Sequence, residues 1–152
     1  MRPASARARA GGVPRQPVIV GFDGSDPARH ALAYAAGIAR QIGRPLLVVY
    51  VIPSSVDSTP LIGQLAGLPF SDALELEPWL LAELGQVVDP ADPSVHVCTR
   101  RGKPARELAA MAAELSADAI VIGASARLWH QVAGSVAGWL AGHARCTVIV
   151  VP

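Results

Sequence analysis

The feature that most constrains the fold is a repeated exchange of period. Short, almost wholly apolar runs alternate with segments whose apolar residues recur at helical spacing. Val18 to Phe22 and Leu46 to Ile52 are runs of the first kind, and their length and β-branched content read as strands buried on both faces. Between them Ala31, Leu32, Ala35, Ile38, Ala39 and Ile42 keep helical spacing, with Ser25 or Asp26 as the cap, Pro27 in the first turn and Gly43 as the stop. Strand, helix and strand in that order make one βαβ unit.

The second half repeats the plan. Val95 to Cys98 reads as a strand, Pro104 to Leu115 as a helix, Ala119 to Gly123 as a strand, the stretch around Ser135 to His143 as a helix, and Thr147 to Val151 as the last strand. Val95 and Val97 alternate with polar neighbours, as on a sheet edge. Asp72 to Gln86 has helical spacing through Leu76, Leu80, Leu81 and Leu84, whereas Pro53 to Phe70 keeps no period and reads as a long loop. Such a loop after strand two either borders a ligand crevice or simply covers surface. Each parallel crossover needs a helix to bring the chain back, so this alternation predicts an α/β fold: an open five-stranded parallel sheet with helices on both faces.

A hydrophobic share of 51% over 152 residues suits one domain with a continuous core. Met1 to Gln16 is rich in Arg, Ala, Gly and Pro and lacks the apolar stretch of a secretory signal; it is expected to be a disordered tail before a domain spanning 17–152. The net charge of +1 owes its sign to Arg2, Arg7, Arg9 and Arg15 in that tail, so the body is mildly acidic. Nucleic-acid binders place a basic stripe on the folded surface, which speaks against DNA or RNA as partners. Asp, Arg, His or Pro interrupts every hydrophobic run, so no membrane span is expected. Cys98 and Cys146 have no partner at metal-ligand spacing and read as free thiols, in keeping with a reducing, cytoplasmic setting.

In open parallel sheets, ligands bind beyond the carboxyl ends of the strands, where strand order reverses. The turns worth searching are Gly21-Phe22-Asp23-Gly24-Ser25 after strand one and Gly123-Ala124-Ser125-Ala126 after strand four, followed by Gly134-Ser135 at the start of the last helix. Apart from Asp23 these turns hold only small or neutral residues, with no base–nucleophile pair and no Gly-Lys-Ser/Thr, so no catalytic or metal-binding residue is expected. Asp23 either meets a ligand or only closes an Asx turn, and Ser135 either meets phosphate or only caps the last helix.

Together these segments resemble the universal stress protein family. The resemblance rests on Val18-Ile19-Val20-Gly21-Phe22-Asp23-Gly24-Ser25, Gly102-Lys103-Pro104-Ala105-Arg106-Glu107-Leu108, Ala117-Asp118-Ala119-Ile120-Val121-Ile122-Gly123 and Thr147-Val148-Ile149-Val150-Val151-Pro152. It implies strand order 3-2-1-4-5, an adenine nucleotide alpha hydrolase-like fold, and a non-enzymatic regulatory module in the stress response that binds ATP or another adenine nucleotide. By the same resemblance Phe22 and Asp23 would meet adenine or ribose, Val51 would line the base pocket, and Gly123, Ala126, Gly134, Ser135 and Val136 would surround ribose and phosphates. It further implies a homodimer through Thr147 to Val151 and a protein partner that the residues do not name. The family pattern Gly-x2-Gly-x9-Gly-Ser/Thr is altered here: Ala126 replaces the second glycine, and the loop Arg127 to Ala133 is shorter. Arg127 and His130 in it read as solvated and Trp129 as packing it down. The alteration is expected to weaken phosphate contacts, and its alternative outcome is a dimeric scaffold that has lost nucleotide binding.

Overall fold

A computed structural model describes residues 14–52, 73–124 and 135–152. Strands β1 (Val18–Gly21), β2 (Leu46–Ile52), β3 (Val95–Arg101), β4 (Ala119–Gly123) and β5 (Thr147–Val151) alternate with helices α1 (Asp26–Ile42), α2 (Ala73–Leu84), α3 (Pro104–Leu115) and α4 (Ser135–His143). All strand pairs are parallel, in the order β3-β2-β1-β4-β5. This is the predicted sheet and the predicted order.

Because side chains alternate across a strand, the sheet builds two cores. Val18, Val20, Val48, Tyr50 and Val121 face α1 and α2, whereas Ile19, Leu47, Val49, Ile120 and Ile122 face α3 and α4. The central strands are buried on both faces, which is why they read as unbroken apolar runs. Toward the sheet, α1 buries Ala28, Ala31, Leu32, Ala35 and Ala39, a face of mostly small residues that lets the helix lie close.

The caps explain the helix limits. Ser25, not Asp26, starts α1: its Oγ accepts from the Ala28 N–H at 3.2 Å, and Gly43 ends the helix at φ 68°. Ser116 ends α3 in the same left-handed region, at φ 51°. A side chain there costs about 1 kcal/mol relative to glycine. Ser116→Gly is therefore expected to raise the thermal midpoint by about 3 °C, read by calorimetry; an unchanged midpoint would mean that the serine compensates its own strain.

β1 ends one residue earlier than predicted, at Gly21, and β3 continues past Cys98 through Thr99, Arg100 and Arg101. The extension hides in a polar stretch because β3 is an edge strand, where only one flank is paired. Arg100 leans onto α3, 2.9 Å from Glu114 and 4.0 Å from Glu107. Cys98 in β3 and Cys146 just ahead of β5 lie toward opposite edges and are both free. Burial pushes the Cys98 thiol up to about 11, against the smaller opposing pull of Arg100, so it is protonated and inert at neutral pH.

The chain joins the body at Gln16, whose N–H donates to Leu115 O at 2.9 Å, and Pro17 is buried. The expected tail, apart from Pro14 to Gln16, lies outside the described residues, as does the expected loop Pro53 to Phe70. Among the described residues no helix is long and apolar enough to cross a membrane.

Candidate ligand site at the strand-order reversal

The chain leaves β1 toward β2 and β3 on one side and toward β4 and β5 on the other, so the reversal falls between β1 and β4. Beyond the carboxyl end of β1, Phe22 is 3% exposed, and its N–H donates to Val49 O at 2.9 Å. That anchor leaves Asp23 outside the core. The exposed Asp23 accepts the Ser25 N–H on Oδ1 at 2.9 Å, an Asx turn that leads directly into the α1 cap. Asp23 thus does what its structural reading required. Its second carboxylate oxygen keeps unused acceptor capacity for a ligand hydroxyl or amine.

The turn rests on two aromatic side chains. Gly24 sits at φ 83°, and a Cβ there would lie 2.8 and 2.9 Å from ring atoms of Trp79 on α2. Trp79 in turn meets Tyr50 edge to face, with ring centroids 5.7 Å apart. Tyr50, on β2, is 2% exposed, and its phenol is held well above the ordinary tyrosine range, first by burial and second by the nearby Asp23 charge. Neither Tyr50 nor Trp79 was singled out from the sequence. A lone Trp in a Leu- and Ala-rich helix was the available signal, but its partner Gly24 is too distant in the chain for periodicity to connect them.

At the end of β4, Gly123 has its own reason to be glycine. A Cβ there would meet the Pro27 carbonyl carbon and oxygen at 2.5 Å and the Ala28 nitrogen at 2.8 Å. The strand end therefore abuts the first turn of α1, which brings Gly123 beside the turn that carries Asp23. Ala124 continues into the β5 edge, with its N–H donating to Val151 O at 2.7 Å.

Val51 lies half-buried near the carboxyl end of β2, opposite Arg100 of β3, and packs against the α3 and α4 core. Val136 is half-buried in the first turn of α4 and joins the same core. Phe22, Asp23, Val51 and Gly123 are thus brought to one rim of the sheet. Ala126, Gly134 and the loop from Arg127 to Ala133 lie outside the described residues, as does the Ser135 side chain. Among the described residues no group of three or more His, Cys, Asp and Glu side chains could hold a metal ion.

Helices on both faces of a parallel sheet in this order, with small-residue turns at its reversal, define the adenine nucleotide alpha hydrolase-like class of α/β proteins. Within that class the chain belongs to the universal stress protein family, whose family model, Universal stress protein family, matches residues 14–152. A universal stress protein of Methanocaldococcus jannaschii is 31% identical over 144 residues, which span 88% of this chain and 80% of that protein. Among solved structures, the universal stress protein UspA from Lactobacillus plantarum superposes with a TM-score of 0.65 at 26% identity, covering 91% of this chain and 99% of that one. A universal stress protein from Archaeoglobus fulgidus, solved in complex with dAMP, superposes with a TM-score of 0.60 at 27% identity, covering 92% of this chain and all of the other.

Proposed function

We propose that this chain is a non-catalytic regulatory module of the stress response that binds an adenine nucleotide at the rim formed by Phe22, Asp23, Val51 and Gly123, with Ala126, Gly134, Ser135 and Val136 on the ribose and phosphate side. The observation that carries the reading is the exposed Asx turn of Asp23 at the strand-order reversal, with Gly123 set against the first turn of the helix it leads into. The family supports it, because a member of similar size and 27% identity is described in complex with dAMP. The sequence of the turns after β1 and β4, which apart from Asp23 offers only small or neutral residues, speaks for binding without turnover. The module acts in the cytoplasm as a homodimer joined through β5, and its nucleotide state biases the surface it presents to a protein partner.

The altered loop sets the expected preference. With Ala126 for glycine and a shorter stretch from Arg127 to Ala133 in the sequence, fewer backbone N–H groups are expected to be available to the phosphates. Each lost charge-assisted contact costs about 1.5–3 kcal/mol, tenfold or more in affinity. Titration calorimetry is therefore expected to find AMP and ATP within about tenfold of adenosine, and Asp23→Ala to weaken all three about tenfold. ATP binding far tighter than adenosine would refute the weakened phosphate side. Heat from none of the three would favour the scaffold that has lost its ligand, the reading that Ala126 and the short loop suggest.

A further inference from the structure

We propose that Trp79 is a positioning residue for the nucleotide: without touching the ligand, it holds the Asp23 turn in its binding geometry by filling the space beneath Gly24. This rests on the reading of that turn as part of the nucleotide site. A turn with a glycine at φ 83° is free to visit other conformations unless something on its open side stops it. The six-membered edge of the Trp79 indole stands 2.8 and 2.9 Å from where any other residue would carry its Cβ, too close to admit one. Behind it the ring is braced edge to face by the buried Tyr50, which cannot yield because its strand is central and paired on both flanks. Helix α2 is held against α1 by a second tie, the ion pair of Glu83 with Arg29, so the indole cannot withdraw without moving the helix. The turn is thereby pressed between its own Asx bond and an aromatic stop.

The chain of contact runs Tyr50, Trp79, Gly24, Asp23, and only the last member reaches the ligand. Removing the indole edge frees Gly24, lets the Ser25 N–H leave Asp23 Oδ1, and turns the carboxylate from a fixed acceptor into one that binding must first order.

The test compares Trp79→Phe, whose smaller ring keeps a contact with Tyr50 but falls short of Gly24, with wild type and with Met111→Ala, a stability control buried in the core on the opposite face of the sheet. AMP affinity is measured by titration calorimetry in the natural background and with Asp23→Asn, and exchange of the Ser25 amide by NMR without nucleotide. Trp79→Phe is expected to weaken AMP about tenfold when Asp23 is present and less than twofold in Asp23→Asn, and to speed Ser25 exchange at least fivefold. Met111→Ala is expected to change neither. AMP binding by Trp79→Phe equal to wild type overturns the proposal, and so does an equal loss in both backgrounds, which would place the indole on the ligand itself. Should wild type bind no AMP, the nucleotide reading fails separately. Ser25 exchange then decides alone whether Trp79 holds the turn.

Discussion

Gly123→Ala is expected to lower the thermal midpoint of the nucleotide-free protein by about 10 °C, the largest single-residue effect that the ligand rim carries. The added methyl would stand 2.5 Å from the Pro27 carbonyl carbon and oxygen and 2.8 Å from the Ala28 nitrogen. These are backbone atoms of the first turn of α1, so no rotamer change relieves the contact. Either β4 bends away from β5, with which Gly123 is in register opposite Val151, or α1 lifts from the sheet. Lifting α1 uncovers Ala28, Ala31 and Leu32, which are at most 4% exposed. Overpacking commonly costs 1–3 kcal/mol, and a clash with rigid backbone belongs at about 3 kcal/mol. Calorimetry without nucleotide checks this, and a midpoint within about 2 °C of wild type would show that the helix yields freely. Because the loss is expected without ligand, it separates the packing role of Gly123 from any part in binding.

Gly123 shows what a sequence can and cannot convey about such a rim. The small residue after β4 pointed to a turn open to a ligand, whereas the close approach found there is that of the first turn of α1, which periodicity along the chain does not reveal. Strand positions and parallel pairing were legible because strands buried on both faces must be apolar throughout, and because each crossover leaves a helical period between them. The order of strands came from the family resemblance, since the alternation alone fits other windings. Polar Thr99 to Arg101 escaped because an edge strand obeys neither rule. At the site, Asp23 and Gly123 were legible through local turn chemistry. Trp79 and Tyr50 were not, since what gives them a role is tertiary: Trp79 meets Gly24, and Tyr50 braces Trp79.

The chemistry of the rim also explains why the structural and the ligand-binding readings of Asp23 are compatible. One carboxylate oxygen closes the turn by accepting the Ser25 N–H, and an ionised carboxylate has acceptor sites to spare. The bond that closes the turn ahead of α1 therefore also fixes the direction of the remaining oxygen. The proposed binding role thus draws on a turn that the fold needs anyway.

Val150→Asp is expected to convert the proposed homodimer into a monomer, weakening association about a thousandfold. Among the described residues β5 pairs with β4 along one flank only, which leaves the backbone N–H and C=O groups of its other flank from Thr147 to Val151 for a partner. An apolar edge of that kind invites pairing, and an antiparallel match with a second copy across a two-fold axis closes it without leaving a new edge. The exposed large apolar side chains among the described residues are Tyr34, Ile42 and Val150. His30 Nδ1 lies 3.4 Å from Pro152 O, just past the end of β5, and Tyr34 follows one helical turn later on the same stripe of α1. Tyr34 and Val150 thus flank the open edge from opposite faces of the sheet. Ile149 is the wrong residue to change, because it packs inward against the α1 core and its loss would confuse unfolding with dissociation. Val150 is 41% exposed and carries no such burden. Burying a carboxylate costs at least about 2 kcal/mol, and the two-fold axis doubles it to about 4 kcal/mol, roughly a thousandfold in Kd. Light scattering at micromolar concentration reads the result: a dimeric wild type and a monomeric Val150→Asp with an unchanged far-ultraviolet circular dichroism spectrum. A monomeric wild type, or a variant that stays dimeric, would remove β5 as the interface.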